Sequence, residues 1–118
     1  MTDIIPHVAE LLAPTGAQIE LSWQDTLVTF PLIVISVPSN MASETSGGDE
    51  ILTNITVQVD AFTLDKKSTI DLAKAIDEIM IPAGFTRGIA QPLPEGELER
   101  YMMQYSCTVD YTHQNILI

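Results

Sequence analysis

The sequence predicts an α+β fold in which two helices pack on one face of a mainly antiparallel sheet of four or five strands. Two observations favour this class. Strand-like alternation at Ile55–Phe62 changes to helical spacing at Ser68–Ile81, and a second long alternating segment occupies Arg100–Tyr111. A chain of 118 residues has room for one core, so we expect a single domain that spans residues 1–118.

The first predicted element is a helix near the start of the chain. Thr2 or Asp3 can act as its N-cap, and Pro6 is tolerated in its first turn. Pro14 is expected to end it. The apolar stripe that we expect to face the sheet consists of Ile4, Ile5, Val8, Leu11 and Leu12.

Apolar segments after this helix predict strands. Ala17–Trp23 alternates apolar and polar residues, which is typical of a half-buried strand. A turn at Gln24–Thr26 leads to Leu27–Phe30, where Pro31 interrupts the pattern. Leu32–Val37 is apolar nearly throughout and is therefore predicted to be a central strand.

A small, polar and acidic segment, Ser39–Glu50, follows the central strand. Because it has little apolar surface to bury, we expect a flexible loop over residues 39–50. About 12 residues is long for a loop in a compact domain, and long loops often carry function. Met41, Glu44, Asp49 and Glu50 are therefore candidate contact residues, and a passive hairpin loop is the alternative.

The second predicted helix, Ser68–Ile81, has the clearest helical pattern in the chain. Ser68 is the expected N-cap, with Asp71 in the capping-box position. Pro82 and Gly84 mark its end. The stripe expected to face the sheet consists of Leu72, Ala73, Ile76, Ile79 and Met80.

Two further strands are predicted after this helix. Phe85–Ala90 has a weak strand pattern, and Gln91–Glu99 is rich in Pro, Gly and Glu and therefore reads as a surface turn. Arg100–Tyr111 alternates strictly and is about twice as long as a typical strand of ~5–6 residues. Its extra length suggests a contact beyond the edge of the domain.

Charge and hydropathy argue against two classes of protein. The net charge is −11, with 16 acidic residues against five Lys and Arg, which are too few to neutralise nucleic-acid phosphates. No apolar run approaches the ~20 residues of a membrane helix, so no membrane is expected as a partner. The N-terminus lacks the basic start of a signal peptide, so we expect a protein made and kept in a cytoplasm.

No catalytic, metal or cofactor site is expected. Cys107 is the only cysteine, and its mid-strand position predicts a small buried apolar side chain. His7 has only Glu10 at ligand spacing, which is too few groups for a closed metal site. Gly47-Gly48 lacks the Lys-Ser/Thr of a phosphate loop, and no serine lies in a Gly-x-Ser-x-Gly context. We therefore expect no enzyme activity.

Several segments share their order and spacing with one protein family. These segments are Pro31–Ser36, Gln58–Thr63, Asp77–Met80, Gly84–Arg87, Arg100–Tyr105 and Val109-Asp110. Taken together, over Pro31–Tyr111, they resemble the tail-terminator (tail-completion) proteins of long-tailed bacteriophages. Gln104 departs from the pattern, because a basic residue is expected between the hydrophobic residues there.

This resemblance implies a structural virion subunit that assembles in the bacterial cytoplasm. Six copies would form a ring on the head-proximal end of the tail tube, stop tube polymerisation and dock the head. The implied partners are other copies of the chain, the tail tube protein and the head-tail connector or stopper, with no cofactor. DNA would pass through the lumen without specific binding, which an acidic lining favours because a basic one would hold it. Met41, Glu44, Asp49 and Glu50 would then contact a partner or line the lumen.

Two alternatives stay open at this point. A neck or head-completion subunit would share the small size and the acidity. A non-enzymatic adaptor module would act instead as a monomer or a dimer.

Overall fold

The computed structural model describes residues 4–21, 29–46, 49–93, 96–110 and 115–117, with side chains described for residues 4–21, 29–38, 54–93 and 96–109. Four sequence features, namely Thr2, Asp3, the turn at Gln24–Thr26 and the pair Gly47-Gly48, lie outside these residues.

The described chain combines two α-helices with a mostly antiparallel sheet, which confirms the predicted α+β class. In chain order the elements are α1 (Ile5–Leu12), a 3₁₀ helix (Ala13–Thr15), β1 (Gln18–Glu20), β2 (Leu32–Ser46), β3 (Asp49–Thr63), α2 (Lys66–Met80), β4 (Thr86–Pro92), β5 (Glu99–Asp110) and β6 (Asn115–Leu117).

Five strands form the sheet in the order β1-β2-β3-β5-β4, and the short β6 pairs with the end of β5. β1 runs parallel to β2, and the other described pairs are antiparallel. The apolar segment at the start of β2 lies between β1 and β3, and Leu32–Ile35 is buried. The interior strand predicted for this segment is therefore confirmed.

Both helices pack on the same face of the sheet. The core between them joins residues from each helix to alternate residues of three strands. Its fully buried members include Val8, Leu12, Ile33, Ile35, Val57, Val59, Ile76, Met80 and Tyr105. The opposite face carries a smaller apolar cluster of Leu32, Val34 and Phe62.

Helix α2 begins two residues earlier than predicted, and its N-cap is Asp65. The backbone N–H of Ser68 donates to Asp65 Oδ1 at 2.8 Å, and the Ser68 hydroxyl donates to Asp65 Oδ2 at 2.7 Å. The prediction of Ser68 as N-cap is therefore wrong. Asp and Ser are about equally good caps, and here the aspartate precedes a helix-compatible Lys66-Lys67 pair that extends the helix by two residues.

The loop predicted over Ser39–Glu50 is also wrong, because most of this segment is strand. Ser39–Ser46 belongs to β2, and Asp49–Glu50 begins β3. The buried parts of these strands fix the register of the pair, so the polar continuation can add backbone hydrogen bonds without a new apolar surface. The pairing of β2 with β3 is not continuous: its register shifts after Ser36, after Ala42 and after Glu44.

The sheet is much longer than the helices that cover it. β2 and β3 contain 15 residues each, or about 50 Å at ~3.3 Å per residue, and the longest dimension of the molecule is 51 Å. α2 also has 15 residues but spans only about 22 Å. α2 is therefore about half as long as the β2–β3 pair. The described core on the helix side runs along β3 from Ile55 to Ala61, and the last pairs of the hairpin, Thr45–Glu50 and Ser46–Asp49, lie beyond it.

Candidate functional site

The predicted contact residues lie in the far part of the β2–β3 hairpin, which we call the hairpin arm (Ser39–Ser46 with Asp49–Thr53). Ser46 pairs with Asp49, Thr45 with Glu50 and Glu44 with Leu52. Three acidic residues, Glu44, Asp49 and Glu50, are thus brought together within the last pairs of the arm.

Met41 lies nearer the body of the domain, where it pairs with Asn54. The side chains of Met41, Glu44, Asp49 and Glu50 lie outside the described ones, so their positions come from backbone register. The structure therefore brings the three acidic residues to one end of the molecule and separates Met41 from them.

A groove lies at the other end of the molecule, between α2 and the strands β4 and β5. It encloses about 430 Å³. Its lining consists of Lys66, Thr69, Ile70, Ala73 and Lys74 from α2, with Pro92, Glu99, Arg100 and Tyr101 from the strands. Three of the chain's five Lys and Arg therefore line one groove.

Of the three cations that line the groove, Arg100 is paired with a carboxylate, and within the described residues the two lysines are not. Arg100 Nε donates to Asp60 Oδ1 at 2.9 Å, and its guanidinium lies 5.6 Å from the centre of the Phe62 ring. Lys66 and Lys74 form no ion pair with any other described residue. The groove thus presents two available ammonium groups beside apolar atoms of Ile70, Ala73 and Pro92, a surface suited to a ligand with carboxylates.

A polar network around the buried Asp60 lies on the sheet face that the helices leave open. Asp60 is only 4% exposed, and besides Arg100 it accepts from Gln58 Nε2 at 2.9 Å. Gln104 Nε2 donates to Gln58 Oε1 at 3.1 Å. Gln104 stands where the resemblance leads us to expect a basic residue. Its amide joins the hydrogen-bond network around Asp60, whose charge is already paired with Arg100.

A second carboxylate joins α2 to β4 and β5. Asp77 Oδ1 accepts from the Tyr105 hydroxyl at 2.9 Å, and Asp77 Oδ2 accepts from Arg87 Nη1 at 3.1 Å. Burial, and then the hydrogen bond to Asp77, raise the pKa of Tyr105. The phenol therefore stays protonated, and this cluster holds the fold together instead of supplying a nucleophile.

Sequence reasoning missed the roles of Asp60 and Asp77. The alternation in Ile55–Phe62 puts Asp60 on the side opposite Val57 and Val59, and the structure shows that Asp60 is buried there as well. The sequence does contain a signal for the Asp60–Arg100 ion pair. An acidic residue lies in the apolar strand Ile55–Phe62, and an arginine lies at the start of the last long strand. Asp77 carried no comparable signal, because it lies among other charged residues of an amphipathic helix.

The described residues contain no metal-binding cluster. No cluster of three or more His, Cys, Asp or Glu that could hold a metal ion occurs among them. Cys107 is buried as predicted, and burial raises its pKa to about 11, which makes a reactive thiolate scarce near neutral pH. None of the described helices is long and apolar enough to cross a membrane.

Comparison with known proteins adds no relative: no protein-family model and no curated protein matches this chain.

Proposed function

We propose that this chain is a structural virion subunit that forms a hexameric ring on the head-proximal end of a phage tail tube. The ring would stop tube polymerisation and present the surface that docks the head or its connector. The observation that carries the proposal is the position of the tail-terminator-like segments: they fall on adjoining elements of one sheet and helix and contact one another.

These contacts involve residues inside the resembling segments. Asp60, in Gln58–Thr63, pairs with Arg100, in Arg100–Tyr105. Asp77, in Asp77–Met80, binds both Arg87 and Tyr105. The shared order of motifs thus corresponds to a connected set of side chains, which supports a common architecture more strongly than separate degenerate motifs would.

The shape of the sheet supports assembly. The end of the hairpin arm, with the pairs Thr45–Glu50 and Ser46–Asp49, continues past the last described pair with β5, that of Leu52 with Asp110. A two-stranded ribbon in water is only marginally stable without a covering surface. A neighbouring subunit or the tail tube would supply that surface. The arm is also where the acidic residues Glu44, Asp49 and Glu50 gather.

The charge is compatible with DNA in the lumen. Six copies would carry a formal charge of −66, six times −11. Such a ring repels the DNA backbone at close range and does not bind it, so the strand can slide during ejection.

The decisive experiment is electron microscopy of phage particles made without this protein, with complementation from a plasmid as the control. We expect tail tubes of uncontrolled length beside unattached, DNA-filled heads. Tails of normal length that fail to join heads would indicate a neck or head-completion subunit instead. Normal particles would contradict any role in joining.

Mass in solution tests the adaptor alternative. We expect the purified protein to form a hexamer, either alone or after addition of purified tail tubes. A monomer or dimer that neither grows nor binds tubes would favour the adaptor module and would contradict the ring.

A further inference from the structure

We propose that the acidic end of the hairpin arm of one subunit docks in the groove lined by Lys66 and Lys74 of the next subunit. The inference deepens the proposed function and rests on the self-assembly that it requires.

The two surfaces lie at opposite ends of the molecule. Along β3, the arm ends near the Ser46–Asp49 pair, whereas the groove adjoins the start of β5, where Glu99 pairs with Thr63. Asp49 and Thr63 are separated by about 46 Å along an extended strand. The arm of a subunit therefore cannot reach its own groove, and a contact between the two surfaces has to join different copies.

A contact between two different surfaces is heterologous, so it leaves one free arm and one free groove at the ends of any open chain of subunits. Such a contact produces a closed ring when the rotation between copies closes, and a filament when it does not. A pairing of arm with groove therefore has the geometry that a ring subunit needs. A two-fold dimer in which like surfaces meet does not propagate in this way.

Charge complementarity identifies the occupant of the groove. The arm brings together Glu44, Asp49 and Glu50, and the groove offers Lys66 and Lys74 without ion-pair partners among the described residues. Glu99 also lines the groove, so the two lysines exceed the carboxylate there by one charge. In a chain of net charge −11 this groove is an unusual concentration of cations. The acidic arm of another copy of the chain is therefore the occupant that this groove would bind.

The size of the groove is also suitable. A volume of about 430 Å³ lies within the range of about 300–1,000 Å³ that is usual for ligand sites, and it can admit several side chains of a hairpin end. Ile70 and Ala73 supply apolar contact area, and lysine stems can pack along such a surface while their ammonium groups meet carboxylates.

Charge reversal tests the proposal. The groove variant carries Lys66→Glu and Lys74→Glu, and the arm variant carries Glu44→Lys, Asp49→Lys and Glu50→Lys. Sedimentation velocity over a range of protein concentrations measures self-association, and far-UV circular dichroism checks the fold. We expect each variant alone to associate at least ~10-fold more weakly than the wild type, because like charges then face each other.

The arm variant separates specific docking from general repulsion. It changes three negative charges to positive ones, which moves the net charge from −11 to −5. If overall repulsion governed assembly, this variant would associate more strongly than the wild type. Docking in the groove predicts the opposite, because three lysines would meet Lys66 and Lys74.

Two further experiments show whether lost association comes from charge and not from misfolding, because both restore opposite charges to the contact. An equimolar mixture of the two variants should regain association, since positive arms meet negative grooves and negative arms meet positive grooves around an alternating ring. One chain with all five substitutions should regain it as well. Lys67→Glu, which lies on α2 outside the groove, and Glu10→Lys on α1 are the matched controls and should associate like the wild type.

Wild-type association by the arm variant, or a mixture of the two variants that stays dissociated, would overturn the docking proposal. A wild-type protein that remains a monomer at all concentrations, both alone and with purified tail tubes added, would overturn it too. The proposed function is tested separately by the tails of particles made without the protein. Tails of uncontrolled length, together with an arm variant that assembles normally, would retain the ring and reject this contact.

Discussion

Arg100 and Asp60 form a diagonal ion pair across β3 and β5, with Nε and Oδ1 2.9 Å apart. Their direct backbone partners are Phe62 and Met102, so the two charged side chains meet across the register on the sheet face away from the helices. The carboxylate side chain is 6% exposed and the arginine side chain 25% exposed. The pair therefore holds the Asp60 carboxylate in a nearly buried position, and removal of Arg100 would leave that charge without its cation.

We expect Arg100→Met to lower the free energy of unfolding by about 3 kcal/mol, because a buried carboxylate loses its cation. Arg87→Met is the matched control. Its guanidinium also binds one aspartate, Asp77, but the arginine side chain is 47% exposed, and such pairs contribute about 1 kcal/mol or less. Urea denaturation of both variants measures the difference. Equal midpoints would show that the Asp60–Arg100 pair is no more important than a surface contact.

Helix α2 provides a test of the core. Ile76 is fully buried between the helix and the sheet, so Ile76→Ala should cost about 2–5 kcal/mol through lost burial and the cavity left behind. Glu78→Ala, two residues further on and exposed, should change stability little. Thermal melts of the pair check the orientation of the helix, which similar melting temperatures would contradict.

The parts of the fold that could be predicted are those in which the spacing of apolar residues follows the side-chain burial. In β3, Val57 and Val59 are buried and Gln58 between them is half-buried, so the period-2 pattern was sufficient. The stripe of α2 was readable for the same reason. The hairpin arm could not be predicted this way, because its order comes from pairing with a strand already held by the core.

The candidate surfaces were predictable only in part. The acidic segment was visible in the sequence, whereas the groove draws its lining from α2, β4 and β5, which are separate in the chain. Likewise, Asp60 and Arg100 are 40 residues apart, and their meeting depends on strand register. Composition could indicate that a few cations mattered in so acidic a chain, but not where they would gather.

The N-cap makes a prediction about pH. Hydrogen bonds from the backbone N–H and then the hydroxyl of Ser68 lower the pKa of Asp65 below its ordinary value of 3.8. A carboxyl whose pKa is depressed by folding stabilises the fold above its unfolded pKa, and this stabilisation is lost as the pH falls through the folded pKa. Asp65→Ala should therefore be less stable than the wild type at pH 7, and the difference should shrink below about pH 4.

Two variants separate the cap from its charge. Asp65→Asn retains a good cap without a titrating group, so its stability at pH 7 should lie closer to that of the wild type. Urea midpoints at pH 7 and pH 3 provide the comparison. A deficit of Asp65→Ala that is the same at both pH values would argue against the contribution of the ionised carboxylate.

Cys107 should react slowly with an aromatic disulfide reagent. Because burial raises its pKa to about 11, the thiolate fraction at pH 8 is about two orders of magnitude below that of a free thiol with a pKa of ~8.5. We expect full reactivity in denaturing urea and a rate at least ~100-fold lower in the folded protein. Fast labelling without denaturant would contradict the buried position of the side chain.

The hairpin arm itself can be shortened at a position that its register defines. Ala42 and Thr53 are paired directly, so residues 43–52 can be replaced by a two-residue Asn-Gly turn of the type that closes tight hairpins. The change removes Glu44, Asp49 and Glu50 together and breaks one described pair with β5, that of Leu52 with Asp110. None of the residues of the described core is removed, so the free energy of unfolding should change by about 1 kcal/mol or less.

Assembly should respond very differently. If the arm joins subunits or contacts the tube, the shortened protein should fail to complement a phage that lacks the gene, although it folds normally. The control replaces Glu44, Asp49 and Glu50 with Gln, Asn and Gln, which keeps the arm's length and removes its charge. A defect in both variants assigns the effect to the carboxylates, and a defect in the shortened one alone assigns it to the ribbon. Normal numbers of infectious particles from the shortened variant would show that the arm is a passive connection between β2 and β3.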